Sequence, residues 1–357
     1  MKNISRWLFM AALTGPVACH KSSNSKFINT GTDTTTTAGT DTIVTVYAAG
    51  WSTIGSINTA TVWKNDTATL LPPTATADTS SFGYSVAVSG TDVYVAGNSP
   101  HGAVVWKNGV EQVLSPTGQD YAIALSGTDI YVAGSQLIPN SSPLFNAIYW
   151  KNGQPTILSP ELEAAASWVT IVGSDVYLCG YGVKAGTYAR AMYWKNGSEV
   201  WMNPDTACSS SQILVQGTDV YVTGTLNATA ACYWKNGQLV VLPSGSQGAT
   251  AGGIAIVGND VYIAGTVYNP SIANYNAVYW KNGQLVYLAD PSVPAQAICM
   301  VVSGNDIYIG GTAQGTDSHG NTQFNAVYWK NGKMVSLNNA GATGDALIFS
   351  LWVNSIY

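Results

Sequence analysis

Glu161 and Glu163, separated by one residue, are the chain's closest approach to a paired-carboxylate constellation. One carboxyl that donates a proton and one that accepts it is the pair glycoside hydrolysis uses, although two Glu on one loop carry no geometry of their own. Asp205 is a third acid of this kind, and Tyr84, Tyr121 and Trp168 are aromatic residues able to stack on an apolar sugar face or a partner side chain. The acids could accept hydrogen bonds from a ligand or hold a cation. Other site chemistry is scarce. Only His20, His101 and His319 occur, and none recurs from repeat to repeat, so neither a zinc site nor a Ser-His-Asp arrangement is indicated. No Asp-x-Asp-x-Asp calcium loop is present, and neither metal nor cofactor is expected. Cys179, Cys208, Cys232 and Cys299 show no repeating framework and read as buried free thiols, with a Cys208–Cys232 bridge as the alternative.

The elements that must position these residues are announced by repetition. Trp-Lys-Asn occurs seven times, starting at Trp63, Trp106, Trp150, Trp194, Trp234, Trp280 and Trp329, and six copies continue into Gly. Spacings of 40 to 49 residues indicate one supersecondary unit per copy. Asn-Gly after an aromatic run predicts a type I′ hairpin turn, less regular at Asn65-Asp66, where the Gly is missing. A second signature, Gly-x-Asp-apolar-Tyr, precedes six of the motifs, its acids being Asp92, Asp129, Asp175, Asp219, Asp260 and Asp306. With apolar stretches before and after, each unit reads as four short antiparallel strands, A to D, which is a propeller blade. Residues 44–50 match strand B with no strand A before them, whereas 346–357 match a strand A with no B after it. The predicted fold is therefore all-β: a seven-bladed propeller over residues 43–357, closed by pairing of the N- and C-terminal segments in one blade, which removes exposed sheet edges.

The Tyr-Trp-Lys-Asn-Gly unit resembles bacterial extracellular propeller repeats of the HAF type, with a looser likeness to Kelch and WD40 propellers. It departs from them in reading Val278-Tyr279-Trp280 where His-Ala-Phe is frequent. The resemblance implies a fold and an exported location, and no catalytic residue. Residues 1–18, with Lys2, Arg6, a short apolar run and a small-residue end before Cys19, read as a signal peptide. Val-Ala-Cys resembles a bacterial lipobox, although Pro16 stands where Leu is usual; it implies a lipid on Cys19 and anchoring at the outer membrane. Residues 19–42 are Ser, Thr, Asn and Gly rich and read as a flexible tether.

Composition narrows the function. A formal charge of −5, with seven of 14 basic residues being motif lysines, argues against nucleic acid as a partner. In a propeller, the A–B and C–D turns share one face and the variable B–C and D–A connections share the other. Binding is expected on the variable face, where Tyr84, Tyr121, Trp168, Glu161, Glu163 and Asp205 fall. The repeated Asp and Lys are expected to lock turns, the Lys lying over Trp or pairing with Asp. The expectation from sequence is a monomeric envelope lipoprotein acting as a non-enzymatic scaffold for a glycan or an envelope protein. The alternative is a carbohydrate-active hydrolase or lyase using loop carboxylates, and a purely structural spacer is a third reading.

Overall fold

The two turn signatures of each repeat hold one another. Asn108 and Gly109 take φ of 51° and 83°, the double left-handed geometry of a type I′ turn, and the other five Asn-Gly pairs match them. Asn108 Oδ1 accepts the backbone N–H of Val93 at 2.9 Å, and its Nδ2 donates to Asp92 Oδ1 at 2.8 Å. Lys107 Nζ reaches Asp92 Oδ2 at 2.8 Å while lying 5.2 Å from the centre of the Tyr94 ring. The same lock recurs at Asp129, Asp175, Asp219, Asp260 and Asp306. The lysine therefore lies over the strand B tyrosine and not over Trp, which is buried. In the first blade Asn65 keeps its positive φ of 53°, but Asp66 replaces Gly and turns away to accept the N–H of Asn338 at 2.7 Å.

The computed structural model describes residues 19–21, 43–72, 79–138, 144–160, 163–184, 188–202, 207–244, 248–317, 319–338 and 341–356. These form seven antiparallel sheets, one per blade, in a ring. In blade 2, for example, strand A is Phe82–Ser89, B is Asp92–Ser99, C is Gly102–Lys107 and D is Val110–Ser115. Blade 1 takes Ile43–Ile54, Ile57–Lys64 and Thr67–Leu70 from the start of the ring and Ala346–Ile356 from its end. The closing strand pairs antiparallel with the first, from Ser52 opposite Ala346 to Ile43 opposite Ile356, so the predicted closure is present. This blade has a fifth strand not foreseen: Cys19–Lys21 runs parallel to Leu351–Val353 on the side facing the axis. The signal-peptide reading of 1–18 and most of the expected tether lie outside the described residues.

All seven motif tryptophans are buried, and three of them link neighbouring blades by hydrogen bonds. Trp63 Nε1 donates to Asn338 O and Trp280 Nε1 to Pro243 O, both at 2.7 Å, and Trp194 Nε1 donates to Ser159 Oγ at 3.1 Å. Each partner follows the outer strand of the preceding blade. The glycine closing strand B exists for this ring: a Cβ on Gly97 would lie 2.9 Å from Trp106 Cζ3 and 2.0 Å from Phe82 O.

Every inner strand carries a bulge at one height, leaving Tyr84, Tyr121, Ser167, Ser211 with Gln212, Gly252 with Gly253, Ile298 and Phe349 without a cross-strand partner. Amides beyond the bulge are taken up by the neighbouring blade. Val86 N donates to Ser350 Oγ and Ile123 N to Ser85 Oγ, both at 3.1 Å, and Ile254 N donates to Gln212 Oε1 at 2.8 Å. Cys179, Cys208, Cys232 and Cys299 are free and buried, so the Cys208–Cys232 bridge is not formed.

Candidate functional site

Bulges re-aim side chains, and at the variable end of the channel they gather rings. Tyr84 stands at the centre: its ring lies 5.1 Å from Phe349, 6.1 Å from Tyr121 and 6.2 Å from Phe82, which meets Trp51 edge-on at 6.3 Å. Blades 1, 2 and 3 thus present a continuous aromatic wall. Tyr84 is half-buried, and Tyr121 is buried with its hydroxyl donating to Gln119 Oε1 at 2.6 Å.

Asp120, between these tyrosines in sequence and space, is the anomaly of the site. It is fully buried, neither carboxyl oxygen has a hydrogen-bond partner of good geometry, and the nearest donors are the backbone amides of Gly97 and of Asp120 itself. Its own N–H donates to Asn98 Oδ1 at 3.1 Å. Burial holds this carboxyl well above the usual carboxylate range. Burial likewise pushes the Tyr121 phenol up to about 12 and raises that of Tyr84, with Asp120 a smaller contributor to both. Tyr181, in the next blade, is raised by burial and then by the charge of Glu163. Three phenols and two carboxyl groups are therefore linked across blades 2, 3 and 4.

From the residues expected by sequence, the structure brings together Tyr84 and Tyr121, while Glu163 acts on Tyr181, which in turn acts on Tyr121. Trp168 does not join them: it is 1% exposed and packs in the core, because the bulge in its strand falls on Ser167 and turns the next side chain away from the channel. Glu161 and Asp205 lie outside the described residues. Other loop acids are used locally. Asp290 accepts the N–H of Ser292, Asp317 those of His319 and Asn321, and Asp345 that of Phe324, each at 2.8 Å. Among the described residues, no three His, Cys, Asp or Glu side chains gather as a metal site would need. Sequence reasoning missed Phe349, Phe82, Trp51 and Tyr181. The closing strand has no Gly-x-Asp turn by which to align it, so only its pairing with Ile43–Ile54 places Phe349 level with Tyr84.

The chain is a seven-bladed β-propeller, and solved structures resemble it at low sequence identity. A puromycin hydrolase matches with a TM-score of 0.53 at 10% identity, over 92% of this chain and 54% of that one. The extracellular domain of a one-component system from B. thetaiotaomicron matches with a TM-score of 0.41 at 11% identity, over 87% of this chain and 46% of the other. A GH43 endo-arabinanase from Bacillus licheniformis matches with a TM-score of 0.33 at 12% identity, over 57% and 96%. The chain spans about half the length of the first two. No protein-family model and no curated protein matches the sequence.

Such distant likenesses establish the fold alone. One expectation is corrected, the non-enzymatic scaffold, which rested on the scarcity of catalytic residue types and on the contrast between the two faces. One solved structure of similar fold is titled as a hydrolase, so the fold itself does not favour a scaffold, and the channel holds a desolvated acid that a passive scaffold does not call for. The alternative reading, a carbohydrate-active enzyme, accommodates both.

Proposed function

We propose that this protein is a glycan hydrolase whose substrate enters the channel from the variable face. The observation that carries the reading is Asp120, a fully buried carboxyl without a hydrogen-bond partner of good geometry, whose burial favours the protonated form, with Tyr84 and Tyr121 beside it and Glu163 in the adjoining blade. Two acids in unlike surroundings are the elements of acid–base cleavage. Tyr84 and Tyr121 stack on the sugar, and Tyr84, the more exposed ring, swings aside to admit the leaving group to Asp120. Asp120 then gives its proton to the glycosidic oxygen as the anomeric C–O bond breaks. Glu163 takes a proton from the water that attacks the anomeric carbon, and exchange with solvent returns both groups to their starting states. The test is turnover of a glycan panel, read as new reducing ends. Asp120→Asn and Glu163→Gln should each lower kcat by about 100-fold or more, with the melting transition little changed. Unaltered turnover in both variants would rule out this pair.

The leader and the Val-Ala-Cys ending support an exported form anchored by a lipid on Cys19. Cys19→Ser should then release the protein from membranes; continued sedimentation with them would mean another anchor. The repeat is assigned to the HAF-type group on its Tyr-Trp-Lys-Asn-Gly units.

A further inference from the structure

The ring of bulged residues around the axis is lopsided. Blades 1, 2 and 3 supply Phe349, Tyr84 and Tyr121, whereas blades 4 and 5 supply Ser167 and Ser211 at the same height. Gly252 of blade 6 serves a different end: a Cβ there would lie 2.2 Å from Ile298 O, so this glycine lets the inner strands of blades 6 and 7 close together. Ser211, in blade 5, thus lies across the axis from the Phe349 and Tyr84 part of the wall, and Ser167, in blade 4, stands beside Tyr121. Ser211 Oγ donates to Ala251 O at 2.8 Å and keeps its lone pairs as acceptors. Further toward the regular face, Cys19–Lys21 lies against the inner strands of blades 1, 2 and 7 and obstructs the passage on that side.

We infer that this ring is a slot for one terminal, neutral pyranose residue, held off axis between the Phe349–Tyr84–Tyr121 wall and the Ser211 side. An aromatic wall opposite a hydroxyl group matches the two faces of a sugar ring, one of C–H groups and one edged with hydroxyls. The ring of bulged residues contributes no Lys or Arg, while Glu163 stands at its mouth, so an acidic sugar has no counter-ion and meets a like charge. A passage obstructed below the slot receives a chain end and not the middle of a chain. The inference takes its glycan substrate from the proposed function and adds which part of the glycan binds and where.

Methyl β-glucoside, methyl β-galactoside and galacturonate, titrated into the full-length protein with binding read by ligand-observed NMR, test it. One of the neutral glycosides should bind, and galacturonate should bind at least roughly tenfold more weakly or not at all. Ser211→Phe, which fills the small side, and Tyr84→Ala, which removes the centre of the wall, should each weaken binding by roughly tenfold or more at an unchanged melting temperature. Should Ser211→Phe fail to fold, Phe349→Ala replaces it. The slot is overturned if neither glycoside binds the wild type, if galacturonate binds as well, or if the folded variants bind like wild type. Fates of the two readings separate cleanly: ring-dependent binding without turnover of any glycan removes the hydrolase and leaves the slot, and internal cleavage of a long glycan does the reverse.

Discussion

Single residues decide where the backbone comes close. Gly97 and Gly134 have strand A carbonyls 2.0 and 2.1 Å from where a Cβ would sit, with Trp106 and Trp150 closing the other side. Gly97→Ala must push both away and should cost about 3 kcal/mol in a urea titration, whereas Gly90→Ala, in open space but at positive φ, should cost about 1 kcal/mol. Equal losses would show that the tryptophan contact adds nothing. Tight turns of this kind were legible in sequence because Asn-Gly and Gly-x-Asp each need a particular local backbone. Asp120 was legible only as one more acid in a D–A connection. What sets it apart is the desolvation imposed by two blades, which no neighbouring residue in the chain announces. Trp168 was misplaced by a single position, and in a strand one position exchanges the two faces.

At the level of the element, the paired hairpins form a unit that responds to acid. Asp92, Asp129, Asp219, Asp260 and Asp306 are lowered chiefly by their lysines and then by the asparagines, and Asp175 chiefly by Asn196 and then Lys195. A carboxyl whose folded pKa is depressed adds stability that is complete above the unfolded value of about 3.9 and is lost as pH falls through the lower folded value. Six copies titrate in the same window. The melting temperature should therefore fall steeply below about pH 4, and Asp92→Asn should make that fall shallower while lowering stability slightly at neutral pH. An identical acid limb in the variant would mean that other carboxyls govern it. Four strands per repeat could be read from alternating apolar runs between turns. The bulges could not, because they are set by contacts between inner strands of different blades, and with them the lining of the channel stayed hidden.

For the whole molecule, blade 1 is the joint. Without residues 346–357 it loses its inner strand, the Ser350 hydroxyl that accepts the Val86 amide, and the Ala346 carbonyl that accepts the Thr312 hydroxyl at 3.0 Å. That truncation should abolish the cooperative melting transition or drive aggregation, and an unchanged transition would refute closure as a source of stability. The same joint sets a schedule during synthesis. The three strands that end at Leu70 wait for a partner beginning roughly 275 residues later, which at about 5–20 residues per second keeps them incomplete for roughly 15 to 55 seconds. Throughout that interval the nascent chain exposes an unpaired inner edge at its oldest end. The ring becomes safe from misassembly only when Ala346–Ile356 has been made, so a folding helper that shields edge strands, or a translocon that delays folding until that strand has passed, should raise the yield of this protein more than that of a propeller closed within consecutive blades.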